Sequence, residues 1–336
     1  MRVLIRPRLP LLTLALLAPS IPELLTGSTP VSRLLYDPVG FAVSYAFDVG
    51  LYGTGALLIR EAAVAFRKGW ASILLWGAAY GVAEEGLAVH TFFERSGPPV
   101  GSLTVYGSAY GVDWLWALGL TVFHATYSIA LPILLTYLWF PDASKRRWLD
   151  GGGVAVVAAV YLAVVAVFAH LVGHGPSPAL LALFLAIEAA LLGAGFAAPE
   201  RLLRVRFGPR RVGRWGIASA GCLEWAAWLT VLVLSPGERV PAWGAAAVVA
   251  GANGAALAVI LGGVGSEELD RSKFAFAVGM LVPLFLWDAA LELAIPGLVG
   301  VALVFAYLLL RLGKAIDRRA LAGHVSEGSA PPELPS

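Results

Sequence analysis

Residues 70–93 read WASILLWGAAYGVAEEGLAVHTFF, an apolar run of membrane-spanning length that carries two adjacent glutamates, Glu84 and Glu85. A helix needs about 20 mainly apolar residues to cross the hydrocarbon layer. This stretch meets that length, yet it places two acids too deep to reach water from either surface. An intramembrane acid marks a functional site by default, because removing a carboxylate from water is costly unless it is used or paired.

The rest of the chain agrees with this reading. The protein is 59% hydrophobic and only 14% charged, with a mean hydropathy of +0.78, which excludes an ordinary soluble globule. Ten apolar stretches fall at about 9–25, 38–59, 70–93, 113–140, 152–172, 178–198, 216–234, 241–265, 274–295 and 296–312. The expected fold is therefore an all-α, polytopic transmembrane bundle of about ten helices. Numbering the loops alternately puts all but Arg33, Arg95 and Arg239 of the 24 Lys and Arg residues on one side. By the positive-inside rule that side is the cytoplasm, and both termini lie there. Arg2, Arg6 and Arg8 precede the first stretch as they would a signal peptide, but Pro19 disfavours cleavage after Ala18, so a retained helix is expected.

One integral membrane domain spans 1–312, and 313–336 is expected to be a partly disordered cytoplasmic tail. The single cysteine, Cys222, excludes an internal disulfide and any cysteine-based metal site. The Arg-rich loop 201–214 suits anionic headgroups or simply the topology rule. The lipid bilayer is the one partner implied, with a peptide or a small ion as substrate, and no nucleic acid is expected. Trp-Gly-Ala-Ala recurs at 76–79 and 243–246, which hints at two inverted halves of five helices, a common transporter plan.

Helical rise of about 1.5 Å per residue puts Glu84 roughly 14 Å below the outer end of its helix and His124 roughly 15 Å below the start of the next. Asp48, Glu188 and Glu224 fall at similar depth, and Asp288 somewhat shallower. Gly77, Gly81 and Glu85 recur every four residues, so they share a helix face across which another backbone can approach closely. Glu85 is thus aimed at a packed neighbour. Thr121, His124 and Ser128 line one side of the following helix with Tyr127 beside them, and Ser44, Asp48 and Tyr52 make a similar stripe. The candidate polar layer is Asp48, Tyr52, Tyr127, Ser128 and Asp288. Glu188 and Glu224 read as helix-to-helix hydrogen bonders, and His90, His170 and His174 as interfacial residues.

A buried carboxylate beside an imidazole is equipped to activate water. Here the chain resembles the CAAX-protease and bacteriocin-processing (CPBP) family of intramembrane glutamate-dependent proteases, which carries EExxxR, FxxxH and HxxxN on successive helices. The resemblance covers 70–200. Glu84 and Glu85 match the paired acids, with Val89 where the family has Arg. His124 matches the second motif with Leu120 in place of Phe, and His170 the third with His174 in place of Asn. Alternatively, Trp116 to Ser128 is itself the third motif, Ser128 replacing Asn. The resemblance implies that Glu84, Glu85, His124 and His170 are catalytic. The segments 22–30, 55–61 and 123–132 also look like an uncharacterised group of prokaryotic multi-pass proteins, which implies no activity.

Three N and O ligands plus water from Glu84 or Glu85 with His90, His124 or His170 would suit catalytic zinc. No HExxH spacing is present, and no metal or other cofactor is expected. The rival reading is a proton- or cation-coupled transporter using intramembrane acids. A third, a structural or assembly membrane protein, needs no chemistry. Geometry separates them, and the first question is whether Glu85 and His124 touch.

Overall fold

The computed structural model describes residues 8–93, 106–173, 175–203, 212–234, 240–261 and 269–328. The described chain is helical apart from a hairpin of β1 (Ser108–Ala109) and β2 (Val112–Asp113). Its helices are α1 (8–24), α2 (Pro38–Ala65), α3 (70–88), α4 (Trp114–Trp139), α5 (Gly151–Val172), α6 (Pro178–Ala197), α7 (Arg214–Leu234), α8 (Ala242–Leu261), α9 (Leu269–Leu291) and α10 (Leu298–Gly328). Seven of them, α2, α4, α5, α6, α8, α9 and α10, are long and apolar enough to cross a membrane.

Three departures from the expected boundaries bear on the packing. The second helix continues to Ala65 instead of stopping at 59, which takes Arg60 out of the loop and buries it completely. The third ends at Ala88; His90 then adopts a left-handed φ of 60° before a 3₁₀ turn, Thr91–Phe93. The tail expected from 313 is helical as far as Gly328. Its apolar spacing persists past 312: Phe305, Leu309, Leu312 and Ile316 are all buried, so one helical face still has a core to join. Arg319 donates to the Leu138 carbonyl at 2.7 Å and Arg271 pairs with Asp317 at 2.9 Å, fastening the extension to α4 and α9. The expected tail beyond 328, His174 and most of the loops 94–111 and 201–214 lie outside the described residues.

The α3–α4 contact is the one that positions the site. A Cβ at Gly77 would stand 2.9 Å from the Ala125 Cα, and one at Gly81 would stand 3.0 Å from the His124 Cβ. Two bare positions four residues apart thus let the backbones meet, as the small-residue stripe requires. On its other side α3 meets α6, where Trp76 Nε1 donates to the Leu192 carbonyl at 3.1 Å and the ring covers Gly195. The two Trp-Gly-Ala-Ala copies sit in unlike surroundings, since Trp76 is buried and Trp243 is 76% exposed. A second packing group joins α9 to α7 and α10, with a large apolar core shared by α1, α4, α9 and α10.

Glu292, just past α9, caps the start of α10. Its carboxylate accepts the Val299 N–H at 2.7 Å and the Gly297 N–H at 2.9 Å, and these bonds hold its pKa below the ordinary glutamate value. A lowered pKa in the folded state means the stabilisation is complete above the ordinary value and disappears as pH falls through the lowered one. The protection of the Gly297 and Val299 amides against hydrogen exchange, corrected for intrinsic rates, should therefore fall on acidification. Glu292→Gln should show weaker protection with no such pH response; the same response in both proteins would count against the cap.

Candidate functional site

Glu85 and His124 touch. Glu85 Oε1 lies 2.9 Å from His124 Nε2, and Glu84 Oε2 lies 3.3 Å from Nδ1 of the same ring. Ser128 Oγ is 2.9 Å from Nδ1, and the Thr91 hydroxyl donates to the other oxygen of Glu85. All four of Glu84, Glu85, His124 and Ser128 are buried. In the neutral ring with its proton on Nε2, that N–H donates to Glu85 while Ser128 donates to Nδ1. In the imidazolium both nitrogens donate, and Glu84 becomes the second counter-ion.

Adjacent residues of an α-helix stand about 100° apart, so two neighbouring glutamates should not reach one imidazole. The local backbone resolves this, because residues Val82–Ala88 form a π-helical segment, whose wider turn narrows the angle between Glu84 and Glu85. His124 opens a second such segment, His124–Ala130. There Pro132 has no N–H to return to the Ser128 carbonyl, so the regular ladder is broken one turn after His124. Two more π segments, Ser20–Leu24 and Val49–Gly53, carry Glu23 and Tyr52. Such segments are rare and concentrate at functional sites; the four among the described residues all carry polar residues that gather around His124.

That network extends the site to α1 and α2. The Tyr52 hydroxyl donates to Glu23 at 2.6 Å, and the Thr29 hydroxyl lies 3.1 Å from both Glu23 and Asp48. The Tyr52 and Tyr80 rings approach the His124 ring with centroids 5.9 and 6.0 Å away. Two buried atoms at the centre, Glu84 Oε2 and the Tyr80 hydroxyl, have no hydrogen-bond partner among the described residues.

Of the residues expected at this site, Glu84, Glu85, His124, Ser128, Tyr52 and Asp48 are brought together. Three are not. His170 is exposed near the end of α5, because the face of α5 that turns inward presents Tyr161 and Val164 instead; it is not a partner of the glutamates. Tyr127 is fully buried, but it points at α9 and donates to the Met280 carbonyl at 3.1 Å. A residue three places from His124 sits on a neighbouring part of the helix surface, and that part meets α9. Asp288 is buried on α9 near Glu292, with neither oxygen hydrogen-bonded among the described residues. Glu224 ties α7 to α4 through Thr126 at 3.0 Å, as a helix-to-helix bond. Glu188 is half-buried on α6.

Sequence reasoning missed Glu23, Thr29, Tyr80 and Thr91. One signal existed for Glu23: it is the lone acid of the first apolar stretch, directly after Pro22. Comparison with known proteins adds no relative: no family model, curated protein or solved structure matches the chain.

Proposed function

We propose that this is a ten-span protein of the cell membrane with both termini cytoplasmic, and that its Glu84–His124–Glu85 centre activates water for hydrolysis within the bilayer. The observation that carries the reading is the convergence of both glutamates on one buried imidazole. Glu84, with an oxygen free of hydrogen bonds, is the base that takes a proton from water. His124, oriented by Glu85 and Ser128, relays that proton to the leaving group. The resemblance to the CPBP proteases supports a peptide substrate, with His124 and Ser128 in the places of the third motif's His and Asn; the departure at Val89 stands.

The test is turnover of quenched fluorescent transmembrane and lipidated peptides by the full chain in liposomes. Loss of a general base or its partner costs about 10²–10⁴ in rate, so Glu84→Gln, Glu85→Gln and His124→Ala should each lose at least roughly 100-fold. Equal turnover by wild type and His124→Ala would exclude hydrolysis at this centre. The Glu23–Thr29–Asp48 chain favours a second reading, a proton or cation path leading away from His124. Proton release on adding cations to the reconstituted protein, abolished by Glu23→Gln, would select it instead.

A further inference from the structure

We propose that Glu84, Glu85 and His124 bind a divalent transition-metal ion of the zinc class. One ligand atom from each of the three lies within 4.8 Å of the others. Ligands of a tetrahedral shell with bonds of 2.0–2.2 Å stand about 3.3–3.6 Å apart, so side-chain rotations that bring these atoms about an ångström closer close the set around an ion. Two carboxylates and one imidazole form a three-ligand N/O set that leaves a coordination position open for water.

Three further observations point the same way. The supporting shell is already built: Ser128 holds Nδ1 of His124 and Thr91 holds one oxygen of Glu85, so His124 Nε2 and the other Glu85 oxygen, 2.9 Å apart and bonded only to each other among the described residues, are the pair an ion would take over. The Tyr80 hydroxyl, on a residue 4% exposed whose ring lies 6.0 Å from that of His124, has no hydrogen-bond partner among the described residues, and Glu84 Oε2 has only the 3.3 Å approach of His124 Nδ1. The charges are also unbalanced, since among the described residues Glu84 and Glu85 pair with His124 alone. Two carboxylates desolvated against one imidazole are relieved either by a proton or by a bound cation, since an unpaired buried ion costs several kcal/mol. The absence of HExxH does not bear on this set, whose ligands come from two helices and from a π turn that brings adjacent residues together.

The ion's role as water activator rests on the hydrolytic reading, but its binding does not. Purified full-length protein, stripped with chelator and titrated with Co²⁺ or Zn²⁺ in detergent, should take up one ion per chain. The cobalt form should show visible absorption bands, and the ion should raise the thermal midpoint. Glu85→Gln and His124→Gln should weaken binding by roughly 100-fold or more, and Ser128→Ala by about 10-fold. Asp317→Asn, whose carboxylate pairs with Arg271 on α9 and touches none of the three ligands, should bind as wild type and controls for folding. Negligible uptake by wild type, or wild-type affinity in both Glu85→Gln and His124→Gln, overturns the site. Undiminished hydrolysis by the metal-free protein overturns the metal's role but leaves the hydrolytic reading standing. Specific binding without hydrolysis supports the metal site and counts against that reading.

Discussion

Arg60→Met should lower the thermal midpoint of the protein in detergent by a larger margin than any substitution at the α3–α4 contact. Arg60 is fully buried inside α2. Its guanidinium pairs with Glu61, stacks 3.6 Å above the Trp148 ring, and donates to the carbonyls of Ala143 at 3.0 Å, Ser144 at 3.2 Å and Arg146. Glu61 in turn accepts the Trp148 N–H at 3.0 Å. The pair therefore clips the connection between α4 and α5 to the end of α2. Breaking a buried ion pair costs about 3–5 kcal/mol, and without Arg60 the buried Glu61 keeps only the half-exposed Arg147, 3.7 Å away. Methionine also strands three carbonyls. Arg60→Lys should recover only part of the loss, because an ammonium cannot reproduce the fork or the stacking. Added salt should change little, since buried pairs are poorly screened. A midpoint unchanged in Arg60→Met would show that water, not Arg60, satisfies the connecting segment.

Gly77→Leu should disable the site without touching any of its polar residues. The first added carbon would already stand 2.9 Å from the Ala125 Cα and 3.2 Å from its carbonyl oxygen, so helix backbones rather than a flexible side chain must yield. Overpacking of this kind costs about 1–3 kcal/mol. Forcing α3 from α4 also lengthens the Glu85–His124 contact two turns away, and acid–base geometry tolerates little error. The variant should melt earlier and lose both turnover and metal uptake, with Gly77→Ala intermediate. Wild-type melting and uptake in Gly77→Leu would mean that α3 and α4 are not held by backbone contact.

Several features were legible from residue order because they depend on local properties. Apolar length marks the helices, and the four-residue spacing of Gly77, Gly81 and Glu85 is a helical face whatever surrounds it. Counting helical rise from each end put Glu85 level with His124, and these two do meet. The same reasoning failed for Tyr127, whose rotation about α4 relative to the site depends on which neighbours that helix meets; helical rise already put His170 near the end of its helix, and only the resemblance counted it with the glutamates. Reading from residue order failed for Arg60 as well, since a positive charge near a helix end ordinarily marks a loop.

Sequence by itself determined that this is an all-helical chain with membrane-length apolar helices, that acids lie within them, and which helix faces are bare enough to pack closely. Those properties follow from the composition and period of each segment. Only the tertiary structure decided that Glu84, Glu85 and His124 form one cluster, that Glu23 and Tyr52 join it, and that His170, Tyr127 and Asp288 do not. The physical reason is that a side chain's partner is set by helix crossing and by the π turns at 20–24, 49–53, 82–88 and 124–130. Each of those turns shifts every later residue around its helix, and long-range packing holds it in place.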